Sequence, residues 1–154
     1  LANKKNIPIT ADPKKDNFNE YRGITIFKPN LKELKEGLNV EFDLSTDKTI
    51  FESAVKQLRD NIPHELSLIT LSEHGIYAKD ENTSSYAKAH AREITDVSGA
   101  GDTVIATATL CYISGASVEQ IAKISNIAGG MVCEKPGVVS VIHKDLLKEV
   151  KELL

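Results

Sequence analysis

The 154-residue chain contains no tryptophan, one methionine and only two cysteines. Cys111 and Cys133 each lie in an apolar segment that reads as helix, with no further cysteine beside either of them. This pattern favours two buried thiols in a reducing compartment over a disulfide or a metal pair. The four histidines, at positions 64, 74, 90 and 143, do not have the spacing of metal ligands. The sequence therefore predicts neither a disulfide framework nor a zinc site.

Long apolar runs and blocks of basic residues are also missing. No apolar run approaches the ~20 residues that a membrane helix needs, and no signal peptide opens the chain. A net charge of −3 without a basic cluster argues against nucleic acid or an anionic membrane as a partner. We expect one cytoplasmic domain with its own core. Because the chain begins Leu-Ala-Asn-Lys-Lys rather than with Met, we expect a fragment of a longer protein.

The most informative stretch is Asp96 to Thr103, which reads Asp-Val-Ser-Gly-Ala-Gly-Asp-Thr and leads into the apolar run Val104 to Ile113. Gly99 and Gly101 allow a tight bend that turns backbone N–H groups toward one point, and a helix starting there adds the positive end of its dipole. This pattern predicts an anion-binding loop. Asp102 would lie at its mouth, placed to accept a proton from an attacking hydroxyl.

The tripeptide Gly-x-Gly is by itself ambiguous, since it also forms ordinary tight turns between a strand and a helix. The stretch lacks the third glycine of the dinucleotide-binding fingerprint, and the chain contains no P-loop motif. Known phosphate-binding motifs of those two classes are therefore excluded.

Alternating strands and helices predict an α/β fold with a mostly parallel sheet and helices on both faces. A helix over Lys48–Asn61 carries an apolar stripe with a period of 3.6 residues, and Leu66–Leu71 reads as a buried parallel strand. Ser72–Gly75 turns that strand back into a short return strand. The other predicted elements are strands over 6–13 and 23–30, an extended segment over 86–94, and helices over 102–114, 117–134 and 144–154. Loops that follow parallel strands converge on one ligand-binding crevice.

The string from Asp96 to Thr103 closely resembles the C-terminal signature of the ribokinase (PfkB) family of carbohydrate kinases. In that family the Gly-Ala-Gly backbone, here Gly99-Ala100-Gly101, forms the anion hole, and the following Asp102 is the catalytic base. The resemblance implies a ribokinase-like three-layer fold, ATP with Mg²⁺, and a sugar or sugar phosphate as acceptor. It covers only the C-terminal half of such a kinase. Residues 1–154 are therefore expected to be its C-terminal, ATP-binding portion, without the lid.

The resemblance also implies nucleotide-binding residues in the first half of the chain. Asn30-Leu31-Lys32-Glu33 is, from its spacing alone, a helix cap close to a capping box. In the family an Asn-x-x-Glu at this place contributes to the nucleotide and magnesium–phosphate region, so all four residues are candidates and Glu33 would act on the metal indirectly.

Three residues around the next turn are further nucleotide candidates. The family usually has Thr-Leu-Gly-x-x-Gly there, and this chain keeps Thr70 and Gly75 but has Ser72 at the first glycine. Gly75 most simply supplies a positive φ. Because this chain has Ser72 where the family usually has glycine, a close approach of the backbone to phosphate is less well supported at that position.

The second half of the chain offers Asn126, which occupies the position of a family residue that often touches the nucleotide. A helical Asn can equally be exposed. The pair Gly129-Gly130 in the same predicted helix costs about 1 kcal/mol per residue relative to alanine, which indicates close packing or a nearby ligand. Family members often bind a monovalent cation through loop carbonyls near the equivalents of Asp96 and of the loop 137–140.

One branch of the family fits further stretches, which are Asp12-Pro13-Lys14, Tyr21-Arg22-Gly23 and Ser72-Glu73-His74-Gly75. Its members phosphorylate D-glycero-D-manno-heptose 7-phosphate at the anomeric hydroxyl, on the way to lipopolysaccharide cores. Two alternatives stay open. The chain could be a non-catalytic nucleotide-binding module, or it could belong to a kinase for ribose, fructose phosphate or a nucleoside. The sequence also leaves open whether two copies form a homodimer, and we expect the 154 residues alone to be inactive.

Overall fold

A computed structural model of the chain describes residues 1–154, except for the side chain of Lys15. The five strands are β1 (Thr10–Ala11), β2 (Ile24–Phe27), β3 (His64–Thr70), β4 (Ile76–Lys79) and β5 (Ser84–Ala87). The five α-helices are α1 (Leu31–Leu38), α2 (Lys48–Asn61), α3 (Ala100–Ile113), α4 (Val118–Cys133) and α5 (His143–Leu153). Short 3₁₀ turns lie at Asn3–Lys5, Lys15–Glu20 and Ser72–His74.

The strands form one mixed sheet in the order β1-β2-β3-β4-β5. The pairs β1/β2 and β2/β3 are parallel, whereas β3/β4 and β4/β5 are antiparallel. Because β4 reverses the chain and β5 reverses it again, β5 runs in the same direction as the first three strands. We call the edge where these four strands end the carboxyl edge. The predicted return of the chain at Ser72–Gly75 is confirmed and accounts for the antiparallel half of the sheet.

Helices α1 and α2 cover one face of the sheet. The stripe predicted for α2 is confirmed for Phe51, Ala54, Val55 and Leu58, which are buried in the core on this side. Ile50, also expected in the stripe, is 45% exposed. Phe27 of β2 lies at the centre of that core, with its ring centroid 5.5 Å from that of Phe18. Burying these large apolar side chains against the sheet supplies most of the driving force for this layer.

Helices α3 and α4 cover the other face and make the fold three-layered, as predicted. Val104 and Ala108 of α3 are buried with Ile121 of α4 in a second core. The Gly129-Gly130 pair permits close packing. A Cβ on Gly129 would lie 2.7 Å from Cγ2 of Val104, and one on Gly130 would lie 2.5 Å from Nε of Arg92. Glycine lowers the stability of a helix, and here that cost is offset because Val104 and Arg92 can pack close to the helix backbone.

The first strand is shorter than the predicted range 6–13, since only Thr10–Ala11 pairs with β2. Pro8 and Pro13 lack the N–H that a ladder needs. The carbonyl oxygen of Ile9 accepts hydrogen bonds from two successive N–H groups of the neighbouring strand, which ends the regular pairing there. The predicted extended segment 86–94 is likewise regular only to Ala87.

Among the described residues, none of the helices combines the length and the apolar character that crossing a lipid bilayer would require.

Candidate active site

Helix α3 begins at the glycine-rich loop, two residues earlier than predicted. Gly99 has φ +78°, a left-handed conformation that favours glycine, and it offers no side chain to cap the helix. The N–H of Ala100 donates to the Val97 oxygen at 3.2 Å, and the first intrahelical bond runs from Thr103 N–H to Gly99 O at 2.9 Å. The N–H groups of Gly101 and Asp102 lie between these two bonds and project from the start of the helix, where an anion is favoured.

Asp102 is the third residue of α3, and its side chain is exposed to solvent. A carboxylate in the first turn is stabilised by the helix dipole. It lies within one turn of the two projecting N–H groups, as a proton acceptor beside an anion site requires.

The carboxylate of Asp96 fixes the loop that precedes α3. Its Oδ1 accepts the Ser98 N–H at 2.9 Å and its Oδ2 accepts the Gly137 N–H at 2.9 Å. Hydrogen bonds from Ser98, followed by the one from Gly137, hold the pKa of Asp96 below its ordinary value. The N–H groups of Thr95 and Asp96 both donate to the carbonyl of Cys133 at the end of α4. The loop is therefore joined both to α4 and to the segment after it.

An ion pair between a buried lysine and a partly exposed aspartate, which sequence reasoning missed, lies directly against Gly101. Nζ of Lys28 is 3.0 Å from Oδ2 of Asp12, and the Lys28 side chain is only 3% exposed. A Cβ on Gly101 would lie 3.4 Å from that Nζ. The signal that could have revealed the pair is positional. Asp12 and Lys28 each follow the last residue of neighbouring parallel strands, in which Ala11 pairs with Phe27.

Asn30 and Glu33 form a complete capping box at the start of α1. Oδ1 of Asn30 accepts the Glu33 N–H and Oε2 of Glu33 accepts the Asn30 N–H, both at 2.8 Å. Asn30 also forms an isolated parallel bridge with Thr70, so two of the expected nucleotide candidates are neighbours at the carboxyl edge. The other two residues of the stretch are a half-buried Leu31, which packs on the core, and Lys32, which is 82% exposed.

The capping box bears on the expected magnesium ion. The described part of the chain contains no cluster of three or more His, Cys, Asp or Glu residues that could enclose a metal. Mg²⁺ is usually bound through one or two carboxylates together with substrate phosphates and waters. Oε1 of Glu33 is not used by the capping box. It suits a magnesium ion held mainly by substrate phosphates and waters, and not one enclosed by protein ligands alone.

Backbone conformation and contacts within the protein account for the shape of the Ser72–Gly75 turn. Ser72 has φ +53° and Gly75 has φ +98°. A Cβ on Gly75 would lie 2.0 Å from the carbonyl oxygen of Ala87 and 2.7 Å from the nitrogen of Ala89. The Tyr86 hydroxyl donates to the His74 oxygen at 2.6 Å, which also closes the turn onto β5. The positive φ expected at Gly75 is thus confirmed. The backbone that lies close to Gly75 is the chain at the end of β5 and just after it.

A cavity of about 610 Å³ lies between this turn and α1, away from the glycine-rich loop. Its lining residues are Leu31, Lys35, Glu41–Leu44 and Leu71–His74. Two of the expected nucleotide candidates, Leu31 and Ser72, face this space and not the start of α3.

Asn126 and Arg92 anchor the segment between β5 and the glycine-rich loop. Nδ2 of Asn126 donates to the Lys88 oxygen at 2.8 Å. Arg92, whose side chain is 9% exposed, pairs with Glu134 at 3.2 Å and with Glu149 of α5. Sequence reasoning missed the role of Arg92. These contacts hold the start of the segment against α4 and its middle against α5 and the end of α4.

Comparison with known proteins decides the family. The model of the pfkB family carbohydrate kinases matches residues 1–145. The chain belongs to this family. The bifunctional protein HldE of Campylobacter concisus is 39% identical to this pfkB-family chain over 134 residues, which are 87% of the chain and 28% of the relative. HldE of Methylobacillus flagellatus is 35% identical over 150 residues, which are 97% of the chain and 30% of the relative.

Solved structures confirm the ribokinase-like fold of this pfkB-family chain. Phosphofructokinase-2 from Escherichia coli in complex with potassium aligns with a TM-score of 0.84 at 22% identity, over 99% of this chain and 49% of that one. Ribokinase from Arabidopsis thaliana complexed with ribose and ATP aligns with a TM-score of 0.80 at 19% identity, over 96% and 49%. The chain thus spans about three tenths of its curated relatives and about half of these solved kinases.

Proposed function

We propose that the chain is the C-terminal, ATP-binding portion of a sugar kinase that transfers the γ-phosphate of ATP to a sugar hydroxyl. Membership of the pfkB family supports the reaction class. The observation that carries the proposal is the uncapped start of α3 at the carboxyl edge. There the N–H groups of Gly101 and Asp102 and the Asp102 carboxylate lie within one helical turn.

In this proposal the loop neutralises the transferring phosphoryl group and Asp102 takes the proton of the attacking hydroxyl. The anion hole consists of the Gly101 and Asp102 N–H groups, helped by Gly99, because the Ala100 N–H already bonds to Val97. Bound Mg²⁺ would neutralise charge on the β- and γ-phosphates. Asn30 and Glu33 would hold the metal–phosphate group from the start of α1.

The remaining candidates have supporting roles in the proposal. Thr70 lies beside Asn30 and would face the phosphates from the end of β3. Ser72 and Gly75 shape the turn that follows. Asn126 positions the chain after β5 and so acts on the nucleotide indirectly.

We propose the anomeric hydroxyl of heptose 7-phosphate as the acceptor. Support comes from the resemblance of the Ser-Glu-His-Gly turn to the heptose-phosphorylating branch and from the HldE relatives. A monovalent cation beside the ionised Asp96 and the 137–140 loop belongs to the same proposal. So does a cytoplasmic location, since both cysteines are free thiols.

The first experiment is calorimetric titration of the chain with Mg-ATP, alongside its Asp102→Asn and Gly101→Val variants. We expect Asp102→Asn to bind and Gly101→Val to lose binding, because the valine would obstruct the loop but the Asn keeps its shape. In the full-length gene product, Asp102→Asn should lower turnover of heptose 7-phosphate by about 10²–10⁴-fold. Turnover retained in that variant would exclude Asp102 as the base.

A non-catalytic nucleotide-binding module is the second candidate, and the exposure of Asp102 favours it for the 154 residues alone. Phosphoryl transfer requires that water be excluded from the site. If the full-length gene product binds Mg-ATP but phosphorylates none of heptose 7-phosphate, ribose, fructose 6-phosphate and adenosine, the module is the better description.

A further inference from the structure

Arg92 joins the chain that leads into the glycine-rich loop to two helices at once. Its side chain is 9% exposed, and its guanidinium pairs with Glu134 at the end of α4 at 3.2 Å and with Glu149 of α5. Gly130 makes room for it, because a Cβ there would lie 2.5 Å from Nε of Arg92. The two carboxylates contact different nitrogens of one planar guanidinium, so their relative positions are held by a rigid group.

The end of α4 that pairs with Arg92 also binds the backbone of the glycine-rich loop. The carbonyl oxygen of Cys133 accepts the Thr95 N–H at 2.8 Å and the Asp96 N–H at 3.1 Å. The Asp96 carboxylate in turn accepts the Ser98 N–H and so fixes the chain where it enters α3. Only three residues separate this anchored stretch from Arg92, so the position of Arg92 affects the position of the loop.

Helix α5 is weakly packed against the rest of the fold. No residue that the structure describes within it is buried, and elements with few buried contacts open locally at low cost. The link 134–142 between α4 and α5 carries Gly137, whose N–H donates to the Asp96 carboxylate. Docked α5 is thus connected to the glycine-rich loop at two points, the Arg92 ion pair and the Gly137 hydrogen bond. Release of α5 would loosen both.

We propose that Arg92 is a positioning residue for the glycine-rich loop and that, through Glu149, it couples the docking of α5 to nucleotide binding. The inference rests on the proposed function, since the coupled ligand is the nucleotide of that ATP site. The loop binds phosphate best while α5 is docked, because the contacts that fix Asp96 are then complete. Coupling between two binding equilibria is reciprocal, so a bound nucleotide also stabilises the docking of α5.

The test combines calorimetric titration with Mg-ATP and hydrogen–deuterium exchange of α5 with and without saturating Mg-ATP. Glu149→Gln removes the charge that attracts Arg92 to α5 but keeps the shape of the side chain. Arg92→Met removes the guanidinium, and Glu149→Gln keeps the test decisive if Arg92→Met folds poorly. Glu152→Gln, at an exposed glutamate of the same helix, is the matched control. Exchange in α2, on the other face of the sheet, reports opening of the whole fold.

In the parent chain, we expect Mg-ATP to slow exchange in α5 about fivefold or more, beyond any effect in α2. Glu149→Gln and Arg92→Met should bind Mg-ATP more weakly by a similar factor, and Mg-ATP should no longer slow exchange in their α5 helices. Glu152→Gln should behave like the parent. If Arg92 served only to dock α5, exchange in that helix would not respond to Mg-ATP even in the parent.

Two results would overturn the inference while the ATP site stands. One is that Glu149→Gln binds Mg-ATP like the parent, or that Mg-ATP slows exchange in α5 of the parent no more than in α2. The other is an equal loss of binding in Glu152→Gln, which would assign the effect to the net charge of the helix. If the folded parent binds no Mg-ATP, the proposed ATP site fails, and this inference fails with it.

Discussion

Replacing Gly75 by alanine should destabilise the fold strongly, even without any ligand. Gly75 has φ +98° and ψ −136°, a region that side chains essentially exclude, and strain of this kind costs about 1–3 kcal/mol. The added Cβ would also lie 2.0 Å from the Ala87 carbonyl oxygen. That atom belongs to the backbone and cannot rotate away, and forced overpacking typically costs a further ~1–3 kcal/mol. The expected loss in the free energy of unfolding is therefore about 2–6 kcal/mol.

Gly115→Ala is the matched control for Gly75→Ala. Gly115 has φ +77°, but no atom lies within 4 Å of the position that its Cβ would take. It should lose only the cost of the left-handed conformation, about 1–2 kcal/mol. Urea unfolding of both variants at 25 °C, followed by far-UV circular dichroism, measures the difference. If the two losses agree within about 0.5 kcal/mol, the close backbone approach at Gly75 contributes nothing and the reasoning is refuted.

Two further predictions concern a buried base and a buried cation. Burial lowers the pKa of His64 to about 4. Between this value and the ordinary pKa of 6.5, the unfolded chain binds a proton that the folded chain does not bind. The free energy of unfolding should therefore fall by about 3 kcal/mol as the pH falls from 6.5 to 4. Urea unfolding at a series of pH values should show that the free energy of unfolding falls less in His64→Asn than in the parent chain. The exposed His90→Asn should show the same fall as the parent, and equal falls in the two variants would contradict the prediction. Arg92→Met leaves the carboxylates of Glu134 and Glu149 without their partner and should destabilise the docking of α5 by about 1.5–3 kcal/mol. Hydrogen–deuterium exchange should accelerate in α5 but not in α2, and unchanged exchange in α5 would show that Arg92 does not hold it.

Local signals were sufficient for most of the fold. The α2 helix follows its predicted bounds because its apolar stripe is regular and is buried against the sheet. Ser117 and Gln120, three positions apart, form a capping box at the start of α4, with both hydrogen bonds in place. Asn30 and Glu33 form the other one. In each case the residues that decide the structure lie within a few positions of one another, so their interaction is visible in the sequence.

Long-range contacts explain what the sequence did not reveal. Lys28 at the end of an apolar strand reads as a solvated lysine, and only the parallel register of β1 and β2 brings Asp12 to it. Arg92 lies in an irregular segment, and its partner Glu149 is 57 positions away. Neither pair has a spacing that distinguishes it from ordinary surface charges. The roles of Asp102 and of the nucleotide candidates stay predictions, to be decided by the binding experiments above.

The direction of the strands divides the chain into two sets of connections. Those at the carboxyl edge include the glycine-rich loop and the chain leading into the Asn30–Glu33 capping box, whereas the Asp80–Thr83 turn and the Ser114–Ser117 link lie at the opposite edge. The first of these is a tight turn in which Asp80 accepts two backbone N–H groups, and the second joins α3 to α4. Lengthening either link would leave the glycine-rich loop in place. Natural insertions or a grafted fluorescent label should therefore be tolerated there without disturbing the glycine-rich loop.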